Sequence, residues 1–197
     1  MVFRLRDPVE KSGKNILWYR VETETNDMYK KGIEEIMNAW VDIMWIVCDW
    51  RRGLLKWFWD IPTQMCQFHM KALIRRNIWK RPILDQHKQL KDIGRWIWKL
   101  KKETIIERIK DFEKRESRRL KEKNDSWWYV HRKARKTLRS LKFHINYLYT
   151  YQKYDWMPRT TNSSEWNFWW AKTKWDIHRG MTRKRTEKFI NRYLNST

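Results

Sequence analysis

Hydrophobic and polar positions divide the chain into a short mixed opening, a long helical middle and a helical close. Residues 3–6 and 15–22 read as two strands, the second carrying Ile16, Leu17, Trp18, Tyr19 and Val21. β-branched and aromatic side chains suit a pleated surface. Lys11, Ser12, Gly13 and Lys14 predict the turn between them. Thr25, Asn26 and Asp27 then offer N-caps for a helix on which Met28, Ile33, Ile36 and Met37 recur at helical spacing. Residues 41–48 form a nearly continuous apolar run that ends at Asp49. That pattern predicts a buried central strand with a polar residue at its C-terminal mouth, where open α/β sheets place their ligands. A short helix over 51–58 follows. Pro62 ends it, and a second short strand is expected over 63–68. Strand, helix and strand in succession point to an α/β or α+β sheet.

From residue 70 to about 151 the pattern becomes helical, with Pro82 as its one internal breaker. Leu90, Ile93, Ile97, Leu100, Ile105, Ile109 and Phe112 keep a rough spacing of three to four and predict the buried stripe. A loop over 155–161 contains Pro158. Two last helices are expected over 163–175 and 182–194. The chain has no internal repeat and no low-complexity tract.

Charge sharpens this picture. Lys and Arg number 45 against 23 Asp and Glu, a formal net charge of +22. Residues 70–145 hold 25 of the 45 basic and 9 of the 23 acidic side chains. Such a one-signed excess predicts a polyanionic partner, nucleic acid first and an anionic membrane surface second. A solvated helix face is the plain alternative for the helical middle. Disorder is excluded, because 41% of residues are hydrophobic and 16% aromatic. No run approaches the roughly 18 apolar residues of a membrane span. The opening residues lack the apolar core of a secretory leader. Cys48 and Cys66 make no disulfide framework, so a reducing, cytoplasmic compartment is expected.

One compositional feature is anomalous. The chain has 16 Trp and only 5 Gly, where average usage would give roughly 14 Gly. Trp40 stands just past a helical stretch, the usual place of a glycine. Trp50 follows a strand end and Trp156 precedes Met157-Pro158 in a loop. One reading is that many of these codons are UGA, translated here as Trp but read as Gly in the source organism. The other is that the tryptophans are genuine and supply stacking surface for bases.

Three blocks carry a family resemblance. The first is Asp49-Trp50-Arg51-Arg52-Gly53-Leu54. The second is Ile61-Pro62-Thr63-Gln64-Met65-Cys66-Gln67-Phe68-His69. The third is Thr160-Thr161-Asn162-Ser163-Ser164-Glu165-Trp166, followed by His178-Arg179-Gly180-Met181. In this order and spacing they resemble the D-G-[RK]-x-G-L, P-x-Q-x-C-x-x-H, T-T-N-S-L-E-G and H-x-G-L blocks of bacterial Mutator-like DDE insertion-sequence transposases. At Trp50 and Trp166 the departure is the same, Trp for Gly.

The resemblance implies an RNase H-like α/β (α+β) core, N-terminally truncated, with a long helical insertion. It divides the chain into a partial core over 1–69, a basic helical insertion over 70–158 and core-completing helices over 159–197. It implies a metal-dependent nuclease and strand transferase acting in DNA transposition. Three acids would bind two Mg²⁺ or Mn²⁺ ions, with Asp49 as the second acid and Glu165 as the third. No D-G-T-Y-like block carrying the first acid is found. That acid is expected shortly before Met1, and the chain alone is expected to be inactive. Implied partners are transposon ends, target DNA and further copies of the chain.

Each residue also has a plainer reading. Asp49 could be a helix N-cap, and Asn162 to Glu165 is spaced like a capping box. Cys66 and His69 form half of a zinc site, with no second pair in the sequence to close a tetrahedron. Arg51 and Arg52 could balance the acids or hold DNA. Asn162, His178 and Arg179 would contact DNA, or His178 and Arg179 simply end a surface helix. A non-enzymatic, basic nucleic-acid-binding protein is the competing function, and a degenerate relic is a third.

Overall fold

The computed structural model describes residues 1–6, 13–49, 51–57, 60–79, 81–154, 156–177 and 180–196. It is a mixed α/β structure with more helix than strand. Strands β1 (Val2–Arg6) and β2 (Gly13–Trp18) pair antiparallel. The expected turn residues Lys11 and Ser12 lie outside the described residues, whereas Gly13 and Lys14 already belong to β2. That strand ends at Trp18, short of the expected residue 22.

Helix α1 (Asn26–Asn38) begins where its cap predicts, with Thr25 Oγ1 accepting from the Met28 N–H. Ile33 and Ile36 are buried, whereas Met37 faces solvent. Gly32 belongs to the buried face, and a Cβ there would collide with the Phe3 ring of β1. The helix ends in a Schellman motif. Trp40 N–H donates to Met37 O at 3.0 Å, and Val41 N–H to Ile36 O at 3.4 Å. This geometry puts Trp40 at φ 59°, the left-handed conformation that glycine favours. Its side chain is 95% exposed. At Trp166, by contrast, the backbone is ordinary helix and makes no such demand. Trp50 lies outside the described residues.

The apolar run 41–48 forms strand only at its end, as β3 (Ile46–Cys48), and that strand is half-buried rather than central. The reason is its partner. β4 (Thr63–Met65) is equally short, and the parallel register Ile46↔Thr63, Val47↔Gln64, Cys48↔Met65 uses all of it. Between them runs α2 (Arg52–Trp57). The chain turns into a helix at Gln67, so the expected strand over 63–68 stops early. Among the described residues the strands form two separate two-stranded sheets, not one continuous sheet.

The helical middle is four helices: α3 (Gln67–Asn77), α4 (Asp85–Trp96), α5 (Lys102–Lys121) and α6 (Arg132–Leu148). Pro82 falls in the first break, but further breaks occur around residues 97–101 and 122–131. The expected stripe is buried at Leu90, Ile93, Ile97, Ile105, Ile109 and Phe112, while Leu100 packs at its edge. Phe112 is fully buried, a burial that stabilises by roughly 1.5–3 kcal/mol. The same cluster takes in Leu55 of α2 and Met65 of β4, so the helices and the β3–β4 unit share one core.

Polar bonds lock that junction. Gln64 and Gln67 amides both donate to Leu148 O, at 2.9 and 3.0 Å. The Gln64 side-chain oxygen accepts from the Tyr151 N–H at 3.0 Å. Beyond a 3₁₀ turn at Thr150–Lys153, the chain closes with α7 (Asn162–Ile177) and α8 (Arg183–Asn195). The last helix returns to the first hairpin through Asn15 Nδ2 to Leu194 O and Trp18 Nε1 to Asn191 Oδ1, both 3.2 Å. No helix among the described residues is long and apolar enough to cross a membrane.

Candidate functional site

Asp49 follows β3 at its C-terminal end, and Glu165 stands in the first turn of α7. The fold brings both to one cavity of about 510 Å³, whose other walls include β1, His69 and Thr161. What carries Glu165 there is the segment before α7. Arg159 O accepts from the Gln67 N–H at 3.1 Å, which docks residues 157–161 against the start of α3. Arg159 also lies over the Tyr151 ring, 4.6 Å from its centre.

Thr161 then joins the two blocks. Its backbone N–H donates to Cys66 Sγ at 3.4 Å. Its hydroxyl lies 3.1 Å from Glu165 Oε1 and 3.4 Å from Cys66 Sγ. One hydroxyl proton serves one acceptor at a time, and the carboxylate is the stronger. His69 Nδ1 lies 3.5 Å from the same Oε1. Ser164 and Glu165 N–H groups both bond to Thr161 O, so Thr161 is the N-cap and the helix starts one residue earlier than a capping box at Asn162 requires. Glu165 accordingly turns its carboxylate to Thr161 and His69.

The electrostatics follow from this packing. Cys66 is fully buried at the N-terminal end of α3. Burial pushes its thiol up, but hydrogen bonds from His69 and Thr161 outweigh that and hold it below its ordinary value. The Cys66 hydrogen bond raises the His69 imidazole, burial opposes this, and the charges of Asp49, Cys66 and Glu165 add to the rise. Burial, with the charges of Asp49 and Cys66, pushes the Cys48 thiol up to about 12.

The remaining expected residues are placed as follows. Arg51 pairs with Glu24 Oε2 at 3.2 Å, donates to Glu24 O at 2.9 Å and stacks over Tyr29, all on the cavity wall. Arg52 begins α2. Asn162 is exposed at the start of α7. His178 and Arg179 lie outside the described residues. Asp42 and Glu24 line the same cavity and escaped the sequence reading, since neither lies in a motif. Thr161 escaped it too, although its block was recognised.

Cys66, His69 and Glu165 each offer a ligand atom, and the three atoms lie within 4.8 Å of one another. The sequence contained the Cys-x-x-His half of this group. The closing ligand comes from a distant helix and needs no motif of its own. Asp49 and Glu165 supply the hard oxygen donors that Mg²⁺ or Mn²⁺ prefers. No family model matches the chain, and neither the curated proteins nor the solved structures contain a match to it.

Proposed function

We propose that the chain is part of the catalytic domain of a DDE-type DNA transposase, with an RNase H-like core that lacks the first of three acids. The observation that carries this reading is the shared cavity of Asp49 and Glu165, two acids far apart in sequence. A binding module has no need to bring them together. When bound, Mg²⁺ or Mn²⁺ would activate the attacking oxygen and stabilise the leaving oxygen of a phosphoryl displacement. Asp49 and Glu165 would hold the cation. Thr161 and His69 orient Glu165 through Oε1, leaving Oε2 uncommitted among the described contacts. The basic helices would hold the DNA backbone through phosphate contacts that carry no sequence information.

Mn²⁺ binding to the full chain, followed by electron paramagnetic resonance, tests the acids. Asp49→Asn and Glu165→Gln should each weaken binding roughly tenfold or more. Unchanged binding in both variants removes the nuclease reading. Incubation with Mg²⁺ and DNA should give little cutting, because one acid is missing, and robust cutting would refute that account.

A second reading is a non-enzymatic nucleic-acid-binding protein. Its support is the exposed aromatic face of α7, where Trp166 and Trp169 stack at 5.2 Å and Trp170 stands edge-on to both. Exposed aromatics beside cationic helices suit single-stranded nucleic acid.

A further inference from the structure

We propose that Cys66, His69 and Glu165 form a binding site for a thiophilic divalent cation of the zinc class. This inference does not need the transposase reading; it shares with it Glu165 as a ligand and His69, which there only orients Glu165.

The chemistry of the three groups differs from that of a hard-metal site. A thiolate, an imidazole and a carboxylate are the ligand types of zinc, whereas Mg²⁺ takes oxygen. Thiolate and carboxylate together bring two negative charges, which neutralise a divalent ion. The spacing is compatible. In a tetrahedral zinc site, bond lengths of about 2.0–2.3 Å place neighbouring ligand atoms roughly 3.3–3.7 Å apart. The His69 and Glu165 atoms are already 3.5 Å apart, and all three lie within 4.8 Å.

Each ligand stands at the start of a helix. Cys66 and His69 stand at the cap and in the first turn of α3, and Glu165 in the first turn of α7. The docking bond from Gln67 N–H to Arg159 O holds the two helix starts together. Cys66 is fully buried, while His69 and Glu165 line the cavity. A fourth ligand, water or another carboxylate, would therefore enter from the cavity side. Binding a thiophilic ion would occupy Glu165 and compete with any hard cation held jointly by Asp49 and Glu165.

Co²⁺ is the probe, because thiolate ligation gives a sulfur-to-cobalt charge-transfer band and tetrahedral geometry intensifies its visible bands. Titration of the full chain should give both, and Zn²⁺ should displace them. Cys66→Ser should abolish the charge-transfer band, and His69→Gln should weaken binding roughly tenfold or more. Cys48→Ser should keep the band. Asp49→Asn should also keep it, even where it abolishes Mn²⁺ binding, so this site and the nuclease reading fail separately. Circular dichroism confirms that each variant is folded. Absence of a thiolate band in the wild-type chain, or its persistence in Cys66→Ser, overturns the proposal.

Discussion

His69 Nδ1 lies 3.5 Å from Glu165 Oε1, so a side chain from the second sequence block meets one from the third. Cys66 is hydrogen-bonded to the same imidazole, and both neighbours favour its charged form. The His69 pKa is raised above the unfolded value, so its contribution to stability is fully present below about pH 6.5 and is lost as pH rises through the folded pKa. His69 should titrate above about pH 6.5 by NMR. Cys66→Ser and Glu165→Gln should each move it back down, Cys66→Ser by more. An unshifted imidazole in the wild type would contradict the arrangement.

Trp40 occupies the left-handed position of a Schellman motif, with its ring in solvent. A non-glycine residue there costs roughly 1–2 kcal/mol. Glycine loses more freedom on folding, which offsets part of the gain. Trp40→Gly should therefore stabilise the chain by up to about 1 kcal/mol in urea unfolding, while Trp40→Ala should change little. The gene offers a second measurement. A UGG codon at each of positions 40, 50 and 166 rules out recoded glycine.

Gln64 is fully buried and bridges β4 to the end of α6 through Leu148 O and the Tyr151 N–H. Gln64→Ala removes the acceptor of the Tyr151 N–H and leaves Leu148 O with Gln67 alone, which costs about 1–3 kcal/mol. Unfolding should report that loss. The Co²⁺ affinity should fall with it, because β4 leads directly into Cys66.

The basic helices should bind duplex DNA of any sequence with steep salt dependence. Neutralising six to ten phosphates implies a loss of about 10³-fold or more in affinity between about 50 and 200 mM salt. Fluorescence anisotropy on two unrelated duplexes checks this. Binding that differs strongly between them, or that ignores salt, argues against backbone recognition.

The helices were legible because their signals are local. The Leu90-to-Phe112 stripe recurs at helical spacing, and Thr25 and Thr182 cap the helices that follow them. The strand ends were not, since β3 extends only as far as β4 pairs with it. Leaving Met37 in solvent was also a tertiary outcome, because helical periodicity marks a face but not its width.

The sequence by itself determined the charge, the helical middle, the cap position at Trp40 and the Cys-x-x-His pair, all carried by neighbours along the chain. Only the tertiary structure decided that Glu165 joins Cys66 and His69, and that Asp49 opens on the same cavity. The physical reason is that these meetings depend on the docking of residues 157–161 against α3. That docking runs through backbone groups such as Gln67 N–H and Arg159 O, which every residue type but proline offers alike.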